Sequence, residues 1–220
     1  MSALSFIERP ARGDARGLVV LLHGVGASET SLWPLAQALP EEVHVLLPRA
    51  PLALGPGMYG WFPVRFTTDG PQIDAAQAER SRALLVEFIA QQQARLGIDA
   101  AHTLVAGFSQ GGIMSASIGL TAPSQVAGFG VLSGRILPEI APLVPADVGA
   151  HGLHALVLHG RHDSKLGFHF AQAAQARLEA LGVAHTLKAY DAEHALTGEM
   201  VGDFVGWVGE RLGLVSAAAI

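Results

Sequence analysis

Short runs of almost wholly apolar, often β-branched residues alternate along the chain with longer segments whose apolar positions recur every three or four residues. Residues 18–22 (Leu-Val-Val-Leu-Leu), 43–47, 103–106, 126–132, 155–158 and 186–190 read as strands. Most lack polar alternation, which predicts strands covered on both faces, as in a parallel sheet. The clearest helical pattern runs from Asp74, a good N-cap, to Gly97, a good C-terminal stop, with Leu85, Phe88, Ile89 and Leu96 on one face. A second helix carries Phe170, Ala174, Leu178 and Leu181 and stops at Gly182; a third carries Leu196, Met200, Phe204 and Val208. Gly198, Gly202 and Gly206 form a separate stripe on that last helix. Each costs roughly 1 kcal/mol relative to alanine in a helix interior, so close approach of a neighbouring element is the expected compensation. Strand–helix alternation of this kind predicts an α/β fold, a mostly parallel sheet with helices on both faces. Residues 50–71 and 133–152 break the alternation with clustered Pro and Gly, and read as long loops of the sort that bind ligands or act as lids.

With 220 residues, half of them apolar and 15% charged, the chain has the length of one domain with a well-buried core, and a single domain over 1–220 is expected. The net charge is −5. Lys165 and Lys188 are the only lysines, and no run of basic residues offers the phosphate-neutralising surface a nucleic-acid binder needs. The absence of cysteine removes disulfides, a thiolate nucleophile and thiolate metal sites from consideration. The first residues do not read as a signal peptide, and no apolar stretch reaches the length of a membrane span, so a cytoplasmic protein is expected.

The most informative stretch is Gly107-Phe108-Ser109-Gln110-Gly111-Gly112, a Gly-x-Ser-x-Gly motif entered by an apolar strand and left by a small-residue helix. A serine nucleophile in such a fold must sit on a strained strand-to-helix turn so that its hydroxyl stands above the sheet, and glycines at 107 and 111 let neighbouring backbone approach. The helix that follows points its N-terminal N–H groups and positive dipole end at the place where an oxyanion would develop. The N–H of Gln110, the residue after the serine, is one expected donor; the glycine-bracketed loop after residues 18–22, His23-Gly24-Val25-Gly26, is the expected source of another.

A serine hydroxyl is nearly inert without a base, and the base needs a carboxylate to orient it. In this fold the order is Ser, then Asp or Glu, then His. Asp163 follows the strand ending at His159-Gly160, and His194 follows the strand ending at Tyr190, so both lie past the carboxyl ends of strands, on the edge where Ser109 emerges. Asp191 is the competing carboxylate. Among rival histidines, His154 and His185 sit at strand starts, and His162 adjoins Asp163 in the chain and is poorly placed to orient against it.

Other chemistries compete for the same residues. Gly24-Val25-Gly26 after a strand imitates a dinucleotide fingerprint, but Glu29 stands where the third glycine belongs; Arg49 is the one residue that could contact a phosphate. His154 and His159 are five apart on a strand, hence on opposite faces, and no H-E-x-x-H or H-x-H spacing occurs, so no metal and no cofactor are expected. Trp61 and Phe62, with Leu54 and Met58 before them, are either tucked core or the wall of a substrate pocket; Trp61, Phe62 and Met58 are taken as candidate substrate-binding residues, with Leu137, Ile140 and Leu143 as further bulk from the second loop.

Taken together, Leu22-His23-Gly24-Val25-Gly26, Trp61-Phe62, Gly107-Phe108-Ser109-Gln110-Gly111-Gly112, His159-Gly160-x-x-Asp163 and the late His194 resemble the phospholipase/carboxylesterase group of α/β-hydrolases, which includes acyl-protein thioesterases. The resemblance implies Ser109, Asp163 and His194 as a catalytic triad, with the Val25 and Gln110 N–H groups as oxyanion donors. It also implies a hydrolase without a large cap domain, with a tendency to dimerise, acting on esters of modest acyl chains, or alternatively on thioesters or lysophospholipids. A catalytically silent binding protein on the same fold is the alternative from another class. One departure is visible: family members commonly continue the aspartate loop with a proline and a Val-Pro pair, whereas this chain reads Asp163-Ser164-Lys165-Leu166-Gly167.

Overall fold

The structure is a computed structural model that describes residues 4–67 and 70–214. Its strands are β1 (Phe6–Arg9), β2 (Gly17–Leu22), β3 (Val43–Pro48), β4 (Leu52–Gly55), β5 (Met58–Gly60), β6 (Val64–Thr67), β7 (Gly70–Ile73), β8 (Thr103–Phe108), β9 (Gly128–Leu132), β10 (His154–Gly160) and β11 (Ala184–Tyr190). The α-helices are α1 (Trp33–Ala38), α2 (Ala75–Leu96), α3 (Gln110–Thr121), α4 (His169–Ala180) and α5 (Gly198–Arg211).

Seven strands form the central sheet in the order β1-β3-β2-β8-β9-β10-β11. All neighbours are parallel except β1, which runs antiparallel along β3. Side chains alternate between the two faces, and both faces are apolar because both are covered. On β2, Leu18, Val20 and Leu22 join the core under α2, α3 and α4, whereas Val19 and Leu21 join the core under α1 and α5. That two-sided burial is why the inner strands read as nearly unbroken apolar runs, whereas the edge strands β1 and β11 are only partly buried.

The chain lays down β3 on one side of β2 and then crosses to lay β8, β9, β10 and β11 on the other. The order therefore reverses between β2 and β8, and the crevice beyond the carboxyl ends of those strands is where such sheets bind ligands. Leu22 pairs with Gly107, Gly107 with Val131, and Gly160 with Tyr190, so the loops leaving β2, β8, β9, β10 and β11 emerge along one edge.

Three features differ from the expectations of the sequence. The described part of residues 50–71 is not an irregular loop: β4 and β5 form an antiparallel hairpin, and β6 pairs antiparallel with β7. Residues 133–152 contain two short 3₁₀ turns, Pro138–Leu143 and Val148–His151. The glycine stripe of α5 does not mark a close approach, because a Cβ added at Gly198, Gly202 or Gly206 would meet open space. α5 is instead secured by its opposite face, where Met200, Phe204, Trp207 and Val208 are buried, and by Thr197, whose hydroxyl caps the Met200 N–H at 3.2 Å.

Candidate active site

Ser109 stands at the junction of β8 and α3 with φ 54° and ψ −116°, a conformation that costs of order 1–3 kcal/mol for a residue with a side chain. The surroundings enforce it. Its N–H donates to the Leu132 carbonyl at 2.8 Å, and its own carbonyl accepts from Ile113 at 3.1 Å. A Cβ at Gly107 would lie 2.4 Å from the Gly111 carbonyl carbon, and one at Gly111 would lie 1.9 Å from the Leu22 carbonyl oxygen. Backbone cannot yield to such overlaps, so the two glycines are conditions for bringing the start of α3 against the end of β2.

The loops after β10 and β11 meet over this turn. A Cβ at Gly160 would come within 2.3 Å of the Ala192 carbonyl oxygen, so glycine there lets the His194 loop settle on the end of β10. The Ser109 hydroxyl lies 2.9 Å from His194 Nε2, and His194 Nδ1 lies 2.6 Å from Asp163 Oδ2. An Asp163 carboxylate makes Nδ1–H the donor, which leaves Nε2 as the acceptor for the serine proton. Asp163 is buried, and its other oxygen accepts from the N–H groups of Lys165 at 2.9 Å and Leu166 at 2.8 Å. Phe108 packs against the His194 ring with centroids 4.9 Å apart.

Asp191, the competing carboxylate, does not reach His194. It pairs with His162 at 2.7 Å, and its side chain is 92% exposed. His154 accepts from the Trp207 indole N–H on the α5 side of β10. His159 lies on the other side, fully buried, donating through Nε2–H to the Leu166 carbonyl at 2.7 Å. The same nitrogen is 3.4 Å from Asp163 Oδ2, so it supports the loop that presents Asp163. Burial depresses the His159 pKa, with the Leu166 bond opposing that effect.

Val25 and Gln110 both line a cavity of about 780 Å³, and among the described residues their N–H groups donate to no protein acceptor. Several contacts hold the Val25 loop in place. Gly26 adopts φ 77° and donates to the Tyr59 carbonyl at 2.8 Å, while the Tyr59 N–H returns a bond to Ala27 at 2.9 Å. His23 is buried and bridges the loop to the end of β3, donating Nδ1–H to the Gly24 carbonyl and accepting the Ala50 N–H at Nε2. Burial lowers the His23 pKa, consistent with a ring that must accept at one nitrogen.

Trp61, Phe62 and Met58 part company. Phe62 is buried yet forms part of the cavity wall. Trp61 belongs to the core instead, completely buried, with its indole N–H donating to the His23 carbonyl at 2.9 Å. Met58 is 43% exposed on β5 and is not among the cavity-lining residues; neither is Leu54. Leu137 and Ile140 line a separate cavity of about 440 Å³. The described wall of the larger cavity is completed by Val64, Ile73, Ile113, Leu166 and Leu196.

The Gln110 side chain has a role that its place in the motif did not reveal. It accepts the Trp61 N–H and donates to the Phe62 carbonyl, both at 2.7 Å, and so ties the segment before β6 to the serine turn. Its signal in the sequence was polarity at a position that an apolar helix start should bury. Glu29 and Arg49, the residues on which a nucleotide reading depended, satisfy each other: Arg49 Nε–H donates to Glu29 Oε2 at 2.7 Å. Among the described residues no group of three or more His, Asp or Glu is arranged to hold a metal, and no helix is long and apolar enough to cross a membrane.

Comparison with known proteins is decisive on ancestry, because the phospholipase/carboxylesterase family profile matches residues 3–208. The chain belongs to the phospholipase/carboxylesterase family. It is 30% identical over 192 residues to the Neurospora crassa protein named acyl-protein thioesterase 1, covering 79% of this chain and 77% of that one. It is 26% identical over 211 residues to the Arabidopsis thaliana carboxylesterase SOBER1, covering 90% and 92%. Among solved structures, esterase PE8 superposes with a TM-score of 0.80 at 29% identity, covering 94% of this chain and 99% of that one. The architecture is thus the α/β-hydrolase fold, and membership of this family makes the chain a hydrolase.

Proposed function

We propose that this hydrolase cleaves carboxylic esters of short-to-medium acyl chains through an acyl-enzyme on Ser109, the whole chain acting as one α/β-hydrolase domain. The observation that carries this is the unbroken series Asp163–His194–Ser109, with contacts of 2.6 and 2.9 Å. Ser109 Oγ attacks the ester carbonyl as His194 Nε2 takes its proton. Asp163 orients the imidazole and stabilises the imidazolium. The Val25 and Gln110 N–H groups receive the oxyanion, aided by the positive end of α3. His194 then protonates the leaving alcohol, which departs. Water, deprotonated by His194, attacks the acyl-enzyme, and collapse of the second tetrahedral intermediate returns Ser109 and releases the acid. No cofactor takes part in these steps.

A thioesterase reading is favoured by the names of the fungal relatives and uses the same groups with a thiol as leaving group. A cytoplasmic setting, and a homodimer as the assembly, complete the proposal. The test is a panel of p-nitrophenyl esters and acyl thioesters of graded length, run beside fluorophosphonate labelling. Turnover and labelling that are both lost in Ser109→Ala are expected, with activity at least about a thousandfold lower. A folded Ser109→Ala protein that keeps a tenth of its activity refutes the nucleophile, and an unlabelled, inactive wild type makes the chain a silent binding protein.

A further inference from the structure

The cavity above Ser109 is walled mostly by apolar side chains, yet the permanently charged groups that line it are both cations, Arg135 and Lys165, and among the described residues no Asp or Glu lines it. That is unexpected in a chain of net charge −5. Most other arginines are engaged: Arg49, Arg82 and Arg95 pair with carboxylates, and Arg9 donates to three carbonyls. Lys188 pairs with Asp203.

Arg135 is different. It is partly buried, three residues past the end of β9, and it stands in the wall between the large cavity and its 440 Å³ neighbour. Its guanidinium lies 5.2 Å from the centre of the Phe170 ring. Its single acceptor among the described residues is the Pro71 carbonyl at 3.4 Å, at the far limit of a hydrogen bond, and its buried Nε has none. Desolvation pulls its pKa down, and Glu139, the acid that opposes this, is exposed and does not line the catalytic cavity. A planar guanidinium that is partly desolvated and short of acceptors is a strong place for an anion, and best for a carboxylate. Lys165 adds a second positive charge from the aspartate loop, the segment that departs from the family pattern.

We propose that the preferred substrate is an ester or thioester bearing a carboxylate, which Arg135 binds in the cavity while Lys165 adds long-range attraction. This rests on the hydrolase function proposed above. One guanidinium among apolar walls matches a monoanion on a short hydrocarbon spacer better than a phosphate dianion, which needs more donors.

The test compares kcat/KM for mono-p-nitrophenyl adipate with that for p-nitrophenyl hexanoate, equal in carbon number and leaving group, and for 3-carboxyphenyl butyrate with that for phenyl butyrate. The first pair places the charge on the acyl side, the second on the leaving group. A preference for the charged ester in one pair, falling about 10- to 100-fold in Arg135→Gln and partly restored in Arg135→Lys, is expected for loss of a charge-assisted bond. Lys165→Gln should lower the same ratio by less, and added salt should do likewise. Turnover of both members of each pair, with ratios that Arg135→Gln and Lys165→Gln leave within twofold of wild type, overturns the anion site and leaves the hydrolase function standing. Failure of every ester, together with failure of fluorophosphonate labelling, overturns both.

Discussion

Substituting Gln110 by alanine separates the two services this residue performs. The backbone N–H, the proposed oxyanion donor, survives, because it does not depend on the side chain. The side-chain amide is lost, and with it the bonds to the Trp61 N–H and Phe62 carbonyl, both 2.7 Å long at a side chain only 3% exposed. A buried backbone group left without its partner costs about 1–3 kcal/mol, so the pair is worth about 2–6 kcal/mol. Because Gln110 borders the cavity, water is able to enter the vacated space and replace part of the loss, which favours the lower half, about 2–4 kcal/mol. For a chain of this size 1 kcal/mol moves the melting temperature by about 2–4 °C, so a fall of about 4–16 °C is expected. Differential scanning calorimetry on Gln110→Ala and the wild type measures it, with fluorophosphonate labelling of Ser109 as the parallel readout. Labelling should persist while stability drops. A melting temperature within 2 °C of wild type would show that the amide does not secure the 61–62 segment.

Asp163→Asn should reduce kcat by about ten-thousandfold while the fold is retained, because an amide no longer enforces the His194 tautomer, and steady-state kinetics should show Asp191→Asn to be nearly silent at its exposed site. Trp61→Ala should destabilise the protein by about 3–5 kcal/mol in chemical denaturation and lower activity evenly across acyl lengths, since the side chain fills the core; Phe62→Ala should instead alter the dependence on acyl length, since it walls the cavity. His23 and His159 are kept neutral by burial, so unfolding takes up protons once the pH drops below the ordinary histidine value of about 6.5. Their contribution to stability is therefore complete above that pH and is lost as the pH falls toward their depressed folded values, by up to about 1.4 kcal/mol per pH unit for each group. Melting temperatures measured from pH 7.5 to 5 should show this decline, and a smaller one in His23→Gln; a flat profile would mean that neither ring is held neutral.

Hydrophobic periodicity and glycine placement made much of this molecule legible in advance. Strands buried on both faces must be apolar nearly throughout, so β2, β3, β8, β9 and β10 announced themselves, and Asp74 and Gly97 marked α2 through local capping chemistry. Ser109, Asp163 and His194 could be nominated because a strained turn needs Gly107 and Gly111, and because residues just past strand ends in a parallel sheet share one edge. The edge strand β1 and the two antiparallel pairs of residues 50–71 were not legible. β1 and β4 are only partly buried, and a short strand takes its definition from the partner it pairs with. The glycines of α5 show the same limit, since a small residue is compatible with a tight contact or with empty space. Composition and periodicity could not choose between core and cavity for Trp61 and Phe62, which differ only in where the folded backbone aims two adjacent side chains. Nor could they show that Gln110 braces a distant segment, that Asp191 is spent on His162, or that Arg135 stands with few acceptors beside Ser109's cavity. Each of those facts is a pairing across tens of residues, so only the tertiary fold decided it.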